Sequence, residues 1–313
     1  MGAWRRFWFE PEPTSTLALV RIAFGLVMIG WTLGLLPVFF PLFGERGVLP
    51  HEPDLGHGTW GLLGLISGDV ALVALFAIML AASICLTAGY RTRLAAILVF
   101  LGLLAFERRD PWAFDSGDAL LRIIALYVAL SAAGASLSVD RLRRARERLW
   151  EFPALARWPV RLLQIQLSLV YLSTVWAKTR GTAWNDGTAV SYALRLKDLN
   201  RFPVPGGVST SVLASNVTTY GTLAIELALA ILVWNRRARP WVLGAGVALH
   251  LAISYSIRVG FFTLAMFVLY LAFLPNETAS RLIWAVRDRL SAGRNRHRAS
   301  VGSNGRRELS ARG

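Results

Sequence analysis

The chain has 313 residues, of which 55% are apolar and 17% charged, and its mean hydropathy is +0.48. Soluble domains carry about a quarter charged residues, so this balance favours a bilayer as the solvent. The formal net charge of +15 does not indicate nucleic-acid binding, because the arginines lie between apolar segments and form no basic patch interleaved with aromatic residues. A single cysteine, Cys85, excludes an intrachain disulfide.

Apolar runs suited to crossing about 30 Å of hydrocarbon recur along the chain. They predict an all-α integral membrane protein, a polytopic bundle of about eight transmembrane helices with six to nine as the range. The runs are 17–40, 69–88, 93–107, 118–137, 160–178, 210–234, 240–257 and 259–275. The first run follows a polar lead and has no small-residue cleavage site, so it is interpreted as a span rather than a signal peptide.

The arginines predict the orientation. If the spans alternate in direction, most arginines fall in the segments on the same side as the N-terminus. Cytoplasmic segments carry an excess of Lys and Arg, so this pattern predicts that both termini are cytoplasmic. We therefore expect a multi-pass cell-membrane protein with a cytoplasmic segment 1–15, a transmembrane domain 16–276 and a basic cytoplasmic tail 277–313, amphipathic at first and then disordered. Segment 140–161 is predicted to be a surface helix whose arginines contact anionic lipids at the cytoplasmic face.

The fifth run carries polar residues on one helical face. Gln164, Ser168, Tyr171, Val175 and Lys178 follow the i, i+4, i+7 spacing, so this face should point into the bundle. Two interpretations of Lys178 stay open. Its side chain extends to the outer surface, or it is a desolvated amine that acts as a base in a polar pocket opening at the outer face.

His250 lies near the middle of the seventh run, between Gly246 and Ser254 at one-turn spacing. One interpretation is a neutral histidine that is hydrogen-bonded to a neighbouring helix. The other is an acid–base or substrate-contact role. Since no second histidine lies at ligand spacing, no metal site is predicted.

Four further ionisable residues fall within the runs, and structural ion pairing is the preferred interpretation. Asp118 and Arg122 are four residues apart, which predicts a pair on one helical face. Arg21 and Glu226 are expected at similar depths near the cytoplasmic side, which predicts a second pair between helices.

Four blocks together resemble one family. They are RIAFGLVMIGWTLGLLPVFFPLFGERGVLP, DSGDALLRIIALYVALSAAGASLSVDR, LLQIQLSLVYLSTVWAKTRGTAWNDGTAVSYAL and HLAISYSIRVGFFTLAMFVLYLAFL. In order and spacing they resemble the horizontally transferred transmembrane domain family, above all in the spacing of Tyr171, Lys178, Trp184 and Gly187 ahead of a span that starts at His250. This family includes the membrane portion of vitamin K-dependent gamma-glutamyl carboxylase and a bacterial toxin-maturation protein of a sporulation-delaying system.

The resemblance implies catalytic roles for Lys178 and His250. In the carboxylase, the lysine matched by Lys178 deprotonates vitamin K hydroquinone, and the histidine matched by His250 lies near that site. By the same resemblance, Tyr171, Trp184 and Gly187 would contact a quinol such as vitamin K hydroquinone or menaquinol.

Two functional hypotheses follow from the resemblance. The first is a carboxylase- or epoxidase-like enzyme that acts on a lipid quinol. The second is a non-enzymatic membrane factor for maturation or export of a small secreted peptide. The carboxylase has a large lumenal domain after its spans where this chain has an arginine-rich tail, so carboxylation of a docked peptide is not expected.

Overall fold

The computed structural model describes residues 2–49, 61–65, 68–144 and 149–289. The helices are α1 (Ala3–Phe9), α2 (Ser15–Gly34), α3 (Phe39–Phe43), α4 (Leu62–Leu65), α5 (Asp69–Ala88), α6 (Thr92–Arg109), α7 (Ser116–Leu130), α8 (Val139–Arg144), α9 (Trp158–Lys178), α10 (Thr182–Asn185), α11 (Ala189–Arg195), α12 (Gly206–Thr210), α13 (Val212–Ile231), α14 (Arg239–Ser256), α15 (Phe262–Leu271) and α16 (Asn276–Arg289). Short 3-10 turns lie at Leu36–Val38, Ala133–Ala135 and Leu232–Trp234. The strands are β1 (Pro11–Pro13) and β2 (Ala154–Ala156), which pair antiparallel.

The long helices form two groups that α15 joins. In the first, α2 packs on α5, α5 on α6, and α6 on α7. In the second, α13 packs on both α9 and α14. Helix α15 contacts α2 and α7 on one side and α9 and α14 on the other, so a short, strongly apolar helix lies at the centre of the bundle.

The basic segments meet at one end of the bundle, called the basic end below. There β1 pairs with β2, which brings the N-terminal segment against the start of α9. Asp140, just before the basic run of α8, accepts hydrogen bonds from the backbone N–H groups of Arg91 and Thr92 at 2.8 and 2.9 Å. Asn276 accepts a hydrogen bond from the Ser15 hydroxyl at 3.2 Å, which places the start of α16 at the same end.

The connections between the other helix ends meet at the opposite end. Arg109 donates a hydrogen bond to the carbonyl of Phe43 at 2.9 Å. Residues Asn200 and Ile257 form a β-bridge between the loop after α11 and the end of α14. These contacts place the ends of several helices at the side of the bundle opposite the basic end; which side of the membrane each end faces stays a prediction.

Within the described residues, four helical stretches are long and apolar enough to cross a membrane. They are Ser15–Phe43, Asp69–Ala88, Trp158–Lys178 and Val212–Trp234. A fifth is reached if α15 and α16, bent by 105° at the break between them, count as one span. The other predicted runs also fall on helices, namely α6, α7 and α14, but these do not meet the same test of length and composition.

The predicted surface helix at 140–161 is wrong over much of its length. Helix α8 ends at Arg144, and the chain from Ala154 to Ala156 is strand β2. Pro153 and Pro159 lack a backbone N–H and disfavour helix before them, which explains the extended chain between them. The predicted disordered tail beyond 289 lies outside the described residues.

Candidate functional site

The polar face predicted for α9 points into the bundle. Gln164, Ser168 and Tyr171 are all buried. The Gln164 amide donates a hydrogen bond to the carbonyl of Ala272 at 2.7 Å, and the Ser168 hydroxyl accepts one from the Trp234 indole at 2.8 Å. Because each of these groups has a partner on another element, the face holds α9 against α13 and the end of α15.

Lys178, the last residue of α9, forms an ion pair with Glu226 of α13. The lysine side chain is 22% exposed and the glutamate side chain 8% exposed. The Lys178 Nζ also lies 4.6 Å from the ring centroid of Trp184 in α10. Both partners hold the Lys178 side chain in place, so it does not extend freely to the surface.

Below this ion pair, three aromatic side chains form a buried hydrogen-bonded chain. The Tyr171 hydroxyl lies 2.7 Å from Nε2 of His250 and 2.5 Å from the Tyr270 hydroxyl. His250 is 2% exposed, and the rings of Phe262 and Phe267 pack around it with centroid distances of 5.6 and 6.2 Å. Three helices, α9, α14 and α15, thus each contribute one group to a single network.

Two polar atoms of this region are buried without a hydrogen-bond partner. They are Oε2 of Glu226 and Nδ1 of His250. A buried polar atom that lacks a partner costs about 1–3 kcal/mol, so such atoms are uncommon in stable interiors. Oε2 of Glu226 belongs to the residue paired with Lys178, and Nδ1 of His250 belongs to the aromatic network, so each part of this region has one polar atom free to accept or donate a further hydrogen bond.

Two glycines allow the close approaches that build the site. A Cβ at Gly246, one turn before His250, would overlap the Tyr270 hydroxyl. Gly187 has φ +71°, a left-handed conformation that favours glycine, and a Cβ there would overlap the Asn216 side chain. Gly187 therefore lets the loop after α10 pack closely against α13, which also fixes the position of α10 and its Trp184. A contact between Gly187 and a quinol stays a prediction.

The predicted pair of Asp118 and Arg122 is wrong. Arg122 forms an ion pair with Glu107 of α6. Asp118 instead accepts hydrogen bonds from the Trp31 indole at 2.6 Å and from the backbone N–H of Asp115 at 2.8 Å. Asp118 belongs to the capping box of α7, and satisfying the helix start directs its side chain away from Arg122.

The predicted pair of Arg21 and Glu226 is also wrong. Arg21 is fully buried at the basic end, where it donates hydrogen bonds to the carbonyls of Ala133, Ser136 and Leu137 at 2.9, 3.0 and 2.6 Å. Glu226 pairs with Lys178 instead. The chain after α7 turns back over Arg21 and supplies carbonyl acceptors, so Arg21 needs no pairing with Glu226.

The sequence interpretation missed two members of the site. Tyr270 was not singled out, although it is one of the few polar residues of a strongly apolar helix. It lies one turn after Met266, and both side chains are buried. Glu226 was placed with the wrong cation. Lys178 was one of several cations available to this carboxylate, and nothing in the local spacing chose between them.

The helical bundle, its apolar spans and its buried charges define a multi-pass α-helical membrane protein. A family model described as the HTTM domain matches residues 9–277, which confirms the resemblance seen in the four sequence blocks. The chain belongs to the HTTM domain family. No curated protein and no solved structure matches it.

Proposed function

We propose that this chain is an eight-span enzyme of the cell membrane that removes a proton from a lipid quinol, such as vitamin K hydroquinone or menaquinol. The observation that carries the proposal is the contact of Lys178 with Glu226 beside the chain of Tyr171, His250 and Tyr270. Ionisable side chains at membrane depth are costly, so a group of them in contact is a candidate functional site.

The residues present fit a quinol hydroxyl. Oε2 of Glu226 can accept a hydrogen bond from this hydroxyl, and Nδ1 of His250 can donate or accept one, depending on the tautomer. The face of Trp184, next to the Lys178 amine, is suited to cover an aromatic ring from the side of α10. A bound quinol supplies the redox chemistry that protein side chains lack.

Lys178 and Glu226 are in direct contact, so a proton can pass between them in the proposed reaction. When the proton lies on Glu226, the Lys178 amine is neutral and can accept the proton of a hydroxyl that is within hydrogen-bond reach. Tyr171 orients the His250 ring through Nε2, and this leaves Nδ1 directed away from that contact. We therefore assign proton transfer to the ion pair and positioning to Tyr171 and His250.

The test is quinol-dependent oxygen uptake by the purified protein. Lys178→Ala and Glu226→Gln should each abolish it, while Tyr171→Phe should lower it because the His250 ring loses an orienting partner. Tyr127→Phe is the matched control, since Tyr127 also makes one side-chain hydrogen bond within the bundle, to Gln166 at 3.1 Å. Oxygen uptake that is unchanged in a folded Lys178→Ala variant would overturn the assignment.

The alternative role, in maturation or export of a small secreted peptide, gives a different pattern. The parent protein would then consume no oxygen with any quinol, and deleting the gene would abolish secretion or toxicity of a peptide encoded beside it. Lys178→Ala would change that phenotype only as far as it lowers the amount of folded protein.

The eight-span arrangement is tested by labelling single cysteines in a Cys85→Ser background. Arg93, at the start of α6, and Trp112, just after its end, are both exposed, and α6 is one of the helices that do not meet the test for a membrane span. We expect Trp112→Cys to react with an impermeant maleimide from outside and Arg93→Cys only after the membrane is opened. Labelling of both from one side would show that α6 does not cross.

A further inference from the structure

A cavity of about 870 Å³ lies at the basic end, away from the outer face where the sequence analysis expected a pocket. Its walls come from the first turns of α9 and α14 and from the bend between α15 and α16. Four arginines line it: Arg157, Arg161, Arg236 and Arg239. Two glutamates, Glu12 and Glu277, also line it, so the charge of the lining is positive.

The first two arginines of the cavity have different partners. Arg157 forms ion pairs with Glu12 at 2.5 Å and with Glu10 at 3.3 Å. Arg161 donates only to neutral acceptors, the Phe7 carbonyl at 3.3 Å and the Gln164 amide oxygen at 2.7 Å. Within the described ranges no carboxylate is paired with Arg161, although this arginine is half-buried.

Arg239 repeats this pattern on the other wall. It is half-buried and donates to the carbonyls of Val233 at 2.9 Å and Phe273 at 3.4 Å. The positive charges of Arg157 and Arg239 repel Arg161, whereas the carboxylates of Glu12 and Glu10 attract it. Neutral acceptors and aromatic rings offset part of the cost of two like charges in one cavity, and an anion bound between them would lower their repulsion further.

Part of the cavity lining is apolar and lies along α14. Leu243, Gly244 and Val247 line it at one-turn spacing. On the same helix Trp241 is 82% exposed and Leu251 is 55% exposed, as expected of a surface that faces lipid. A molecule in the cavity therefore has guanidinium groups at one end and a hydrocarbon-facing wall at the other.

We propose that this cavity binds one anionic phospholipid from the leaflet at the basic end, with its phosphate between Arg161 and Arg239 and an acyl chain along α14. Guanidinium groups bind phosphate oxygens in bidentate fashion, which suits two arginines that lack carboxylates. A lipid is favoured over free phosphate because the apolar wall continues from the charged mouth to the lipid-facing surface.

The experiment measures retained lipid by native mass spectrometry of the full chain after exchange from vesicles into mild detergent. The probes are phosphatidylglycerol, phosphatidylcholine and soluble glycerol phosphate. We expect a phosphatidylglycerol adduct on the parent protein and much less of the other two. Each arginine near a membrane surface contributes about fivefold to anionic-lipid affinity, so Arg161→Gln with Arg239→Gln should weaken retention by about 25-fold.

The matched control is Arg5→Gln with Arg6→Gln, two exposed arginines of α1 that do not line the cavity. It loses the same charge and should retain phosphatidylglycerol like the parent. Equal losses in both double variants would show general attraction to the membrane and overturn the site. Equal retention of phosphatidylcholine would exclude charge recognition, and equal binding of glycerol phosphate would exclude the acyl contact.

A second variant keeps the test valid if the arginine variant does not fold. A Cβ at Gly244 meets no atom within 4 Å, so Gly244→Leu adds its side chain to the apolar part of the cavity without a clash at Cβ. Retention of phosphatidylglycerol should fall while the midpoint of thermal unfolding in detergent stays unchanged. Full retention by Gly244→Leu would contradict the position proposed for the acyl chain.

Discussion

Two regions of the bundle bury positive charge in different ways. At the basic end, Arg21 is held by three backbone carbonyls, which do not change protonation state. Toward the opposite end, Lys178 is held by Glu226, next to the network of Tyr171 and His250. Each of these side chains can ionise, or can both donate and accept a hydrogen bond. The first arrangement ties the chain after α7 to α2. The second consists of groups that can exchange protons, which is why the proposed function is placed there and not at Arg21.

The largest effect should come from removing the guanidinium of Arg21. Arg21→Met leaves three buried carbonyls without their donor, and a stranded acceptor costs about 1–3 kcal/mol, so we expect a loss of roughly 3 kcal/mol or more in the free energy of unfolding. Denaturation in mixed micelles measures it. A loss below about 1 kcal/mol would show that the carbonyls find other donors and that Arg21 is not the structural tie.

The next effect tests whether the opposite region depends on its charge pair. Glu226→Gln leaves the Lys178 ammonium without its carboxylate and should lower the free energy of unfolding by about 3 kcal/mol. Adding Lys178→Met should recover part of that loss, because no unpaired charge remains. A double-mutant cycle with a coupling near zero would mean that the two side chains do not interact in the folded protein.

A smaller effect distinguishes the two glycines of α14. Gly246→Ala should cost about 1–3 kcal/mol, since its Cβ would overlap the Tyr270 hydroxyl and displace the network. Gly244→Ala meets open space and should be neutral or slightly stabilising, because alanine favours helix. Thermal midpoints of the two variants in the same detergent give the comparison. Equal midpoints would show that the close approach at Gly246 is not needed.

The smallest effect concerns Asp140, the titratable carboxylate whose charge acts on Arg21. Desolvation raises the pKa of Asp140, but hydrogen bonds from the Thr92 and Arg91 backbone N–H groups outweigh it, and the net pKa is lowered from 3.8. Its contribution is therefore complete above the unfolded pKa and is lost as the pH falls through the lower folded pKa. Asp140→Asn should cost about 1 kcal/mol at neutral pH and remove that acid-dependent step from the stability profile.

Parts of the site were predictable because they depend on local spacing. The i, i+4, i+7 positions of Gln164, Ser168 and Tyr171 indicated an inward polar face on α9, and all three are buried. His250, between two small residues, was open to a hydrogen bond with a neighbouring helix, and Tyr171 supplies that bond. Helical periodicity decides which way a side chain points, and that is a property of the chain itself.

Partner choice was not predictable on the same grounds. Asp118 was predicted to pair with Arg122 four residues on, yet it caps α7 and binds Trp31. Several partners lie within reach of a buried charge, and the choice depends on backbone groups that other segments bring close. The strand at 154–156 was missed for a related reason, since β2 exists only because β1 lies beside it.

The amino-acid sequence alone determined that this protein is helical, that it lies in a membrane and that it belongs to the HTTM domain family, because hydrocarbon solvent and helical period act on each segment separately. The tertiary structure decided which cation neutralises Glu226 and which carbonyls surround Arg21. Such pairings join residues far apart in the chain, and their free energy depends on distances that only the packed bundle sets.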